Sequence, residues 1–220
     1  MTNTVAKRLF DVAWAGLGLV VLSPVLLLIA TRIKLAGDGP VFFRQQRVGR
    51  SGRLFWIWKF RTMVVAAEGQ GLGVTRSGDA RITPVGRWLR RTKLDELPQL
   101  WNVLRGEMSL VGPRPEVPQY VARYTPAQRG VLSLKPGITD LATLEFRDEE
   151  KRLAEAGDVE SFYLEHCLPR KIELNQQYAQ HASLWRDTRV ILQTLFPWSR
   201  AKRSNHAANG SVVRCRSERA

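Results

Sequence analysis

The chain has 220 residues, 44% hydrophobic and 25% charged, which suits one globular unit with appendages. Its 34 basic and 20 acidic residues leave a net charge of +14, which calls for an anionic partner: nucleic acid, a phospholipid surface or phosphorylated small substrates. Cys167 and Cys215 stand far apart with no CxxC context, and His166, His181 and His206 show no HExxH-like spacing, which argues against a disulfide scaffold or a Cys- or His-based zinc site and fits a reducing compartment.

Residues 12–31 read VAWAGLGLVVLSPVLLLIAT, carry no charge and are about as long as a bilayer-spanning helix. A basic RIK follows without a cleavage-site pattern, which sets the segment apart from a signal peptide. Ser23-Pro24 lies at the midpoint, where proline removes a helical hydrogen bond and kinks the chain. Each half then reaches roughly 16 Å, half of a hydrocarbon core of about 30 Å. Lys7 and Arg8 precede the segment, and Arg32 and Lys34 follow it. Positive charge at both flanks keeps both on the cytoplasmic side. A central break at Ser23 and Pro24 with like-charged ends therefore predicts a re-entrant membrane helix over residues 1–36 rather than a full span.

A cytoplasmic unit is expected over residues 37–196. In GDGPVFFRQQRVGRSGRLFWIWKFRTM, glycine-rich turns separate two apolar-aromatic runs. The second sets Phe55, Ile57 and Lys59 against Trp56, Trp58 and Phe60, the period of a strand in a half-buried hairpin or of an interfacial element. Residues 64–81 are glycine-rich but form neither GxGxxG nor GxxxxGK[ST], so a loop is expected and no Rossmann or Walker site.

VGRWLRRTKLDELPQLWNVLRG reads as a helix in two pieces, with Leu97 forced out of helical geometry by Pro98, Pro98 as the first helical residue of the second piece and Gly106 as its stop. Asp95 and Glu96 then sit at a helix start, where N–H groups and the dipole favour anions. Residue types alone leave three roles for the pair: solvated capping carboxylates, a metal site, or a nucleophile with its helper.

SLVGPRPEVP must be a rigid extended loop, with Arg114 between Pro113 and Pro115 as an ordered bidentate phosphate ligand. LKPGITDLATLEFRDEE predicts a turn and then a strand ending near Arg147. Residues 151–196 read as helical, broken near Pro169, with Leu184, Ile191 and Leu195 as core. The tail, residues 197–220, is basic, expected to be disordered, and suited to contact with anionic lipid.

Taken together, KRLFDVAWAGLGLVVLSP, IKLAGDGPVFFRQQRVGRSGRLFWIWKFRTM, DARITPVGRWLRRTKLDELPQLWNVLRGEMSLVGPRP and LKPGIT resemble, in order, the bacterial sugar transferases, small monotopic phosphoglycosyl transferases. The resemblance covers residues 7 to about 139. It implies an α+β fold: a re-entrant membrane helix followed by a compact, mainly helical catalytic domain with a few short strands, at the inner membrane and facing the cytoplasm. It implies transfer of a sugar 1-phosphate from a UDP-sugar to polyprenyl phosphate with release of UMP, at the start of exopolysaccharide, capsule, O-antigen or glycoprotein glycan assembly, and downstream glycosyltransferases as further partners. Asp95 would be the nucleophile, through an acyl-phosphate intermediate, and Glu96 would support Mg2+. Lys59, Arg61, Arg90, Arg114 and Arg147 would meet phosphate or nucleotide, and Lys7 and Arg8 the headgroups or lipid phosphate.

So many cations should keep the Asp95 carboxyl low and ionised. Direct attack by the lipid phosphate, with Asp95 as a second metal ligand, is the alternative mechanism. The segment after KPGIT departs from the Gly-x-Ala-Gln of many members and leaves the sugar open. The chain is expected to be the short form, without a multi-span N-terminal region. The rival functions are a membrane-tethered nucleic-acid-binding protein and a glycosyltransferase that releases UDP; the family reading expects no nucleic acid.

Overall fold

The computed structural model describes residues 4–65 and 78–196, so most of the glycine-rich loop and the whole basic tail lie outside the described residues. Within them the fold is mainly helical with two small two-stranded sheets, as expected.

The apolar run becomes α1, Thr4–Leu35, a helix of 32 residues and about 48 Å in length. It is long and apolar enough to cross a membrane and is the candidate membrane segment. The helix continues through Ser23-Pro24, with Pro24 inside it. Proline has no N–H, so the Val20 carbonyl four residues back loses its donor. Ser23 Oγ supplies one, bonding Val20 O at 2.7 Å, and the pair passes inside the helix. Asp11, Ala15, Ile29 and Ile33 form the buried stripe of α1, while Val20, Val21 and Val25 between them are exposed. Both ends are tied to the same body, the first through Arg8 and the second through Arg61.

Strands β1 (Phe42–Val48) and β2 (Leu54–Phe60) form the predicted antiparallel hairpin, with Phe43 opposite Lys59. Phe55 and Ile57 point into the core, and the alternation puts Lys59 on their face. Thr83 caps α2, Pro84–Thr92, accepting from Gly86 N. A Cβ on Gly86 would lie 2.0 Å from Thr62 O, so glycine is what lets α2 close on the segment leaving β2. Lys93, at φ 59°, ends α2 in the left-handed region and turns the chain into a 3-10 turn at Leu94–Glu96.

Leu97 keeps helical angles (φ −55°, ψ −36°) despite preceding proline, and α3 begins at Gln99 with Pro98 as its cap, one residue later than predicted. The reason is local: Leu97 N bonds Leu94 O and Leu100 N bonds Leu97 O, so the 3-10 pattern leaves the missing Pro98 donor in a gap. Helix α3 (Gln99–Arg105) ends at Gly106, φ 82°, as expected.

Strand β3 (Ser109–Val111) pairs in parallel with β4 (Gly137–Thr139). A Cβ on Gly137 would meet Gly112 N at 2.1 Å, so the two backbones touch where the proline loop departs. Short turns α4 (Pro118–Val121) and α5 (Pro126–Arg129) follow that loop. The strand expected to reach Arg147 stops at Thr139, because Asp140 caps α6 (Leu141–Glu145), its Oδ1 accepting Thr143 N at 2.5 Å.

Helices α7 (Glu149–Glu155) and α8 (Val159–Phe162) lead through a π-helical turn, Tyr163–Cys167, into α9 (Leu168–Gln180). No break occurs at Pro169: it lies in the first turn of α9, where an N–H is not needed. The helical run is interrupted before α10 (Leu184–Leu195) instead. The buried face of α10 is Asp187 and Val190, whereas Leu195, expected in the core, is 65% exposed.

Candidate active site

The 3-10 turn between α2 and α3 puts two adjacent carboxylates into different surroundings. Glu96 is clamped: Lys59 Nζ donates to Oε1 at 3.0 Å, Arg114 Nη1 donates to Oε2 at 2.9 Å, and Arg114 Nη2 also donates to Oε1. Burial alone would raise this carboxyl; Arg114 and Lys59 more than offset it and hold Glu96 well below the usual carboxylate range. Burial lowers the Lys59 ammonium, and Glu96 opposes that shift.

Asp95 is 7% exposed, and its Oδ1 is buried without a hydrogen-bond partner. Burial first, and the Glu96 charge second, push its carboxyl up; Lys59, Arg90 and Lys93 pull the other way but do not win. The expectation of a low, cation-stabilised Asp95 therefore fails. Lys59 spends its hydrogen bond on Glu96 and Arg90 on Glu150, so the cost of desolvation at Asp95 is not offset.

The elements explain the clamp. Lys59 is delivered by the inward face of β2. Arg114 is delivered by the proline loop, whose backbone is fixed when Arg114 N donates to Asp140 Oδ2 at 3.1 Å and Asn175 Nδ2 donates to the same oxygen at 3.0 Å. Asp140 is 1% exposed and joins the loop, α6 and α9. Asn102 acts likewise for α3: Trp58 N donates to its Oδ1 at 3.1 Å, while its Nδ2 donates to Trp56 O at 2.7 Å. That pairing imitates a neighbouring strand and fixes α3 against the segment that carries Lys59. Asp140 and Asn102 were not singled out in the sequence; polar side chains on the otherwise apolar face of α3 were the available signal. Asp140→Ala is expected to cost about 2 kcal/mol through the lost cap and the unpaired Arg114 amide. A thermal melt reads that loss, and transferase activity should fall with it as Arg114 shifts.

Other predicted ligands go elsewhere. Arg61 donates to Ile33 O (3.4 Å), Gly37 O (3.2 Å) and Asp38 O (2.5 Å), capping the C-terminal end of α1. Arg90 pairs with Glu150 at 2.6 Å and reaches Asp95 only through its field. Arg147 donates to Thr194 O at 3.1 Å, at the end of α10. Lys7 meets Asp187 at 2.9 Å, Asp11 at 3.2 Å and Ser109 Oγ at 2.7 Å. Arg8 donates to Val103 O (2.5 Å) and Leu104 O (2.7 Å), closing the C-terminal end of α3. Both flanking cations are internal anchors of α1 here.

The described residues thus combine a long apolar helix, the candidate membrane segment, with a mainly helical body in which a carboxylate pair is set among cations. The chain belongs to the bacterial sugar transferase family, whose model matches residues 2–200. It is 39% identical over 198 residues to the UDP-glucose:undecaprenyl-phosphate glucose-1-phosphate transferase of Klebsiella pneumoniae, covering 88% of this chain and 40% of that protein. A protein of the same name from Caulobacter vibrioides is 40% identical over 200 residues, covering 86% of this chain and 68% of that one. The UDP-N-acetylgalactosamine-undecaprenyl-phosphate N-acetylgalactosaminephosphotransferase of Aeromonas hydrophila is 36% identical over 192 residues, covering 86% and 42%. The chain thus spans about two-fifths of the length of two of these relatives.

Proposed function

We propose that the protein moves a sugar 1-phosphate from a UDP-sugar to polyprenyl phosphate, undecaprenyl phosphate in bacteria, and releases UMP. The carrying observation is the division of roles within the carboxylate pair. Glu96 is neutralised by Lys59 and Arg114, while Asp95 keeps a buried, unpartnered oxygen. A carboxylate without a partner in a desolvated place is a ready nucleophile, and adjacent fixed cations suit the charge of two phosphate substrates. The relatives' names supply the substrate classes.

In the first step an Asp95 carboxylate oxygen attacks the phosphorus that bears the sugar. An O–P bond forms, the bridging P–O bond breaks, and UMP leaves with the bridging oxygen and its electron pair. In the second step a phosphate oxygen of the lipid attacks the same phosphorus and the Asp95 carboxylate is returned. No net proton is transferred at Asp95.

Among the described residues no group of three or more His, Cys, Asp or Glu could hold a metal. Mg2+ is commonly held by only one or two carboxylates plus substrate phosphates, and Glu96 Oε2, which accepts from Arg114 Nη1 alone, keeps a lone pair that fits that pattern. Glu96, with the diphosphate, would hold the ion, which would neutralise charge on the leaving phosphate.

The ties of Arg8 and Arg61 between the two ends of α1 and one body support a helix that enters and leaves the same membrane face, and the basic flanks support a monotopic protein with its catalytic part on the cytoplasmic side of the bacterial inner membrane. Its lipid-linked product would be extended by downstream glycosyltransferases in exopolysaccharide, capsule, O-antigen or glycoprotein glycan assembly.

The test is purified protein with Mg2+, undecaprenyl phosphate and a panel of UDP-sugars, with the nucleotide product identified. UMP is expected with at least one sugar. UDP as the product, or no lipid-linked sugar with any donor, overturns the reading.

A further inference from the structure

Gln99 opens α3 and is fully buried, yet neither its amide nitrogen nor its amide oxygen has a hydrogen-bond partner. A buried amide left this way costs about 1–3 kcal/mol for each unsatisfied group, and a methionine or leucine of similar volume would avoid that cost. The position is not a remote one. Gln99 follows Glu96 by three residues and Asp95 by four, along a right-handed path unbroken from Leu94 to Arg105. The backbone bonds here run to the third residue back, as Leu97 N to Leu94 O and Leu100 N to Leu97 O, and side chains three apart share an edge in that geometry, so Gln99 falls on the edge of Glu96, the residue next to Asp95. On its other side lies Asn102, whose clasp on β2 holds α3 against the strand that carries Lys59. Asp95 Oδ1, the other buried and unpartnered polar atom of this turn, is the atom given above the nucleophile's role.

We infer that Gln99 is a catalytic residue whose Nε2–H groups bond a non-bridging oxygen of the phosphoryl group in transit at Asp95. The inference rests on the reaction proposed above and adds a neutral donor to it. Its neutrality has a use. Lys59 and Arg114 already spend their hydrogen bonds on Glu96, and a further fixed cation would stabilise the resting Asp95 carboxylate and blunt its attack. An amide leaves the carboxylate reactive and gains its bond only when a phosphoryl oxygen arrives. The bond is then made more fully in the transition state than in the free enzyme, which is where stabilisation raises turnover.

The test uses Gln99→Met and Gln99→Leu in the full-length, membrane-associated protein, with wild type measured alongside. Loss of one preorganised donor is expected to lower kcat for UMP release about a hundredfold or more, with KM for the UDP-sugar within a few-fold. The melting temperature should stay level or rise, because an unsatisfied amide has been removed. Wild-type kcat in either variant overturns the inference, as does failure of both to fold, which would make the amide a packing element. A wild-type protein that releases no UMP would sink the proposed reaction instead, so the two failures are told apart.

Discussion

Asp95→Asn is expected to abolish UMP release, by a factor on the order of 10^4 or more as for other removed nucleophiles, while leaving the fold at least as stable. The two halves of that result have separate causes. Asn keeps the shape and volume of Asp but cannot form the acyl phosphate. Since Asp95 Oδ1 has no partner and burial pushes its carboxyl up, removing the charge breaks no bond to that atom and relieves an electrostatic cost. Glu96→Gln should behave differently. It removes the negative charge shared by Lys59 and Arg114 and turns one acceptor oxygen into a donor, leaving two half-buried cations facing one another, and should destabilise by about 2–3 kcal/mol as well as inactivate. A stable, inactive Asp95 variant beside an unstable Glu96 variant would establish the division of roles. Intact-mass measurement adds a direct check: wild type with a UDP-sugar and no lipid acceptor should carry a sugar-phosphate adduct that Asp95→Asn lacks. Normal turnover in Asp95→Asn would favour direct attack by the lipid phosphate.

Much of this arrangement was legible in short-range pattern. Period-two alternation located the β1–β2 hairpin and the face that bears Lys59; a glycine marked the end of α3; prolines fixed the Arg114 loop. What stayed illegible was the choice of partner. Lys59, Arg61, Arg90, Arg114 and Arg147 all lie in or near the same motifs, yet only Lys59 and Arg114 hydrogen-bond Glu96. Arg61 and Arg147 meet carbonyls at helix ends, and Arg90 meets Glu150. Partner choice depends on packing between segments far apart in sequence, and a guanidinium satisfies a helix end as readily as a phosphate. The Asp95 carboxyl was misjudged for a related reason: counting nearby cations ignored its burial, and ignored that Glu96 holds Lys59 while Glu150 holds Arg90. At Ser23-Pro24 the lost backbone donor was legible from proline alone, while the Ser23 hydroxyl that bonds Val20 O in its place was not.

The N-terminal anchor carries the second large effect. Lys7 is one positive charge between two carboxylates, Asp11 at 2% and Asp187 at 0% exposure. Asp187 Oδ1 also accepts from Tyr178 Oη at 2.5 Å, and Asp11 Oδ1 from Leu110 N at 3.2 Å, so neither carboxylate can turn away to water without breaking contacts with α9 or β3. Removing the ammonium would leave two like charges buried side by side, and breaking a buried pair in this way typically costs about 3–5 kcal/mol. Lys7→Met should therefore lower the melting temperature of the detergent- or nanodisc-embedded protein sharply and expose the junction of α1 with α10 to proteolysis. The double change Lys7→Met with Asp187→Asn should recover part of the loss, since one of the stranded charges goes with it. A lipid-phosphate role for Lys7 makes the opposite forecast: melting unchanged, KM for polyprenyl phosphate raised, and no rescue by the second substitution. The network favours the first outcome because Lys7 already pairs with Asp11 and Asp187 and donates to Ser109 Oγ, three groups that belong to α1, α10 and β3.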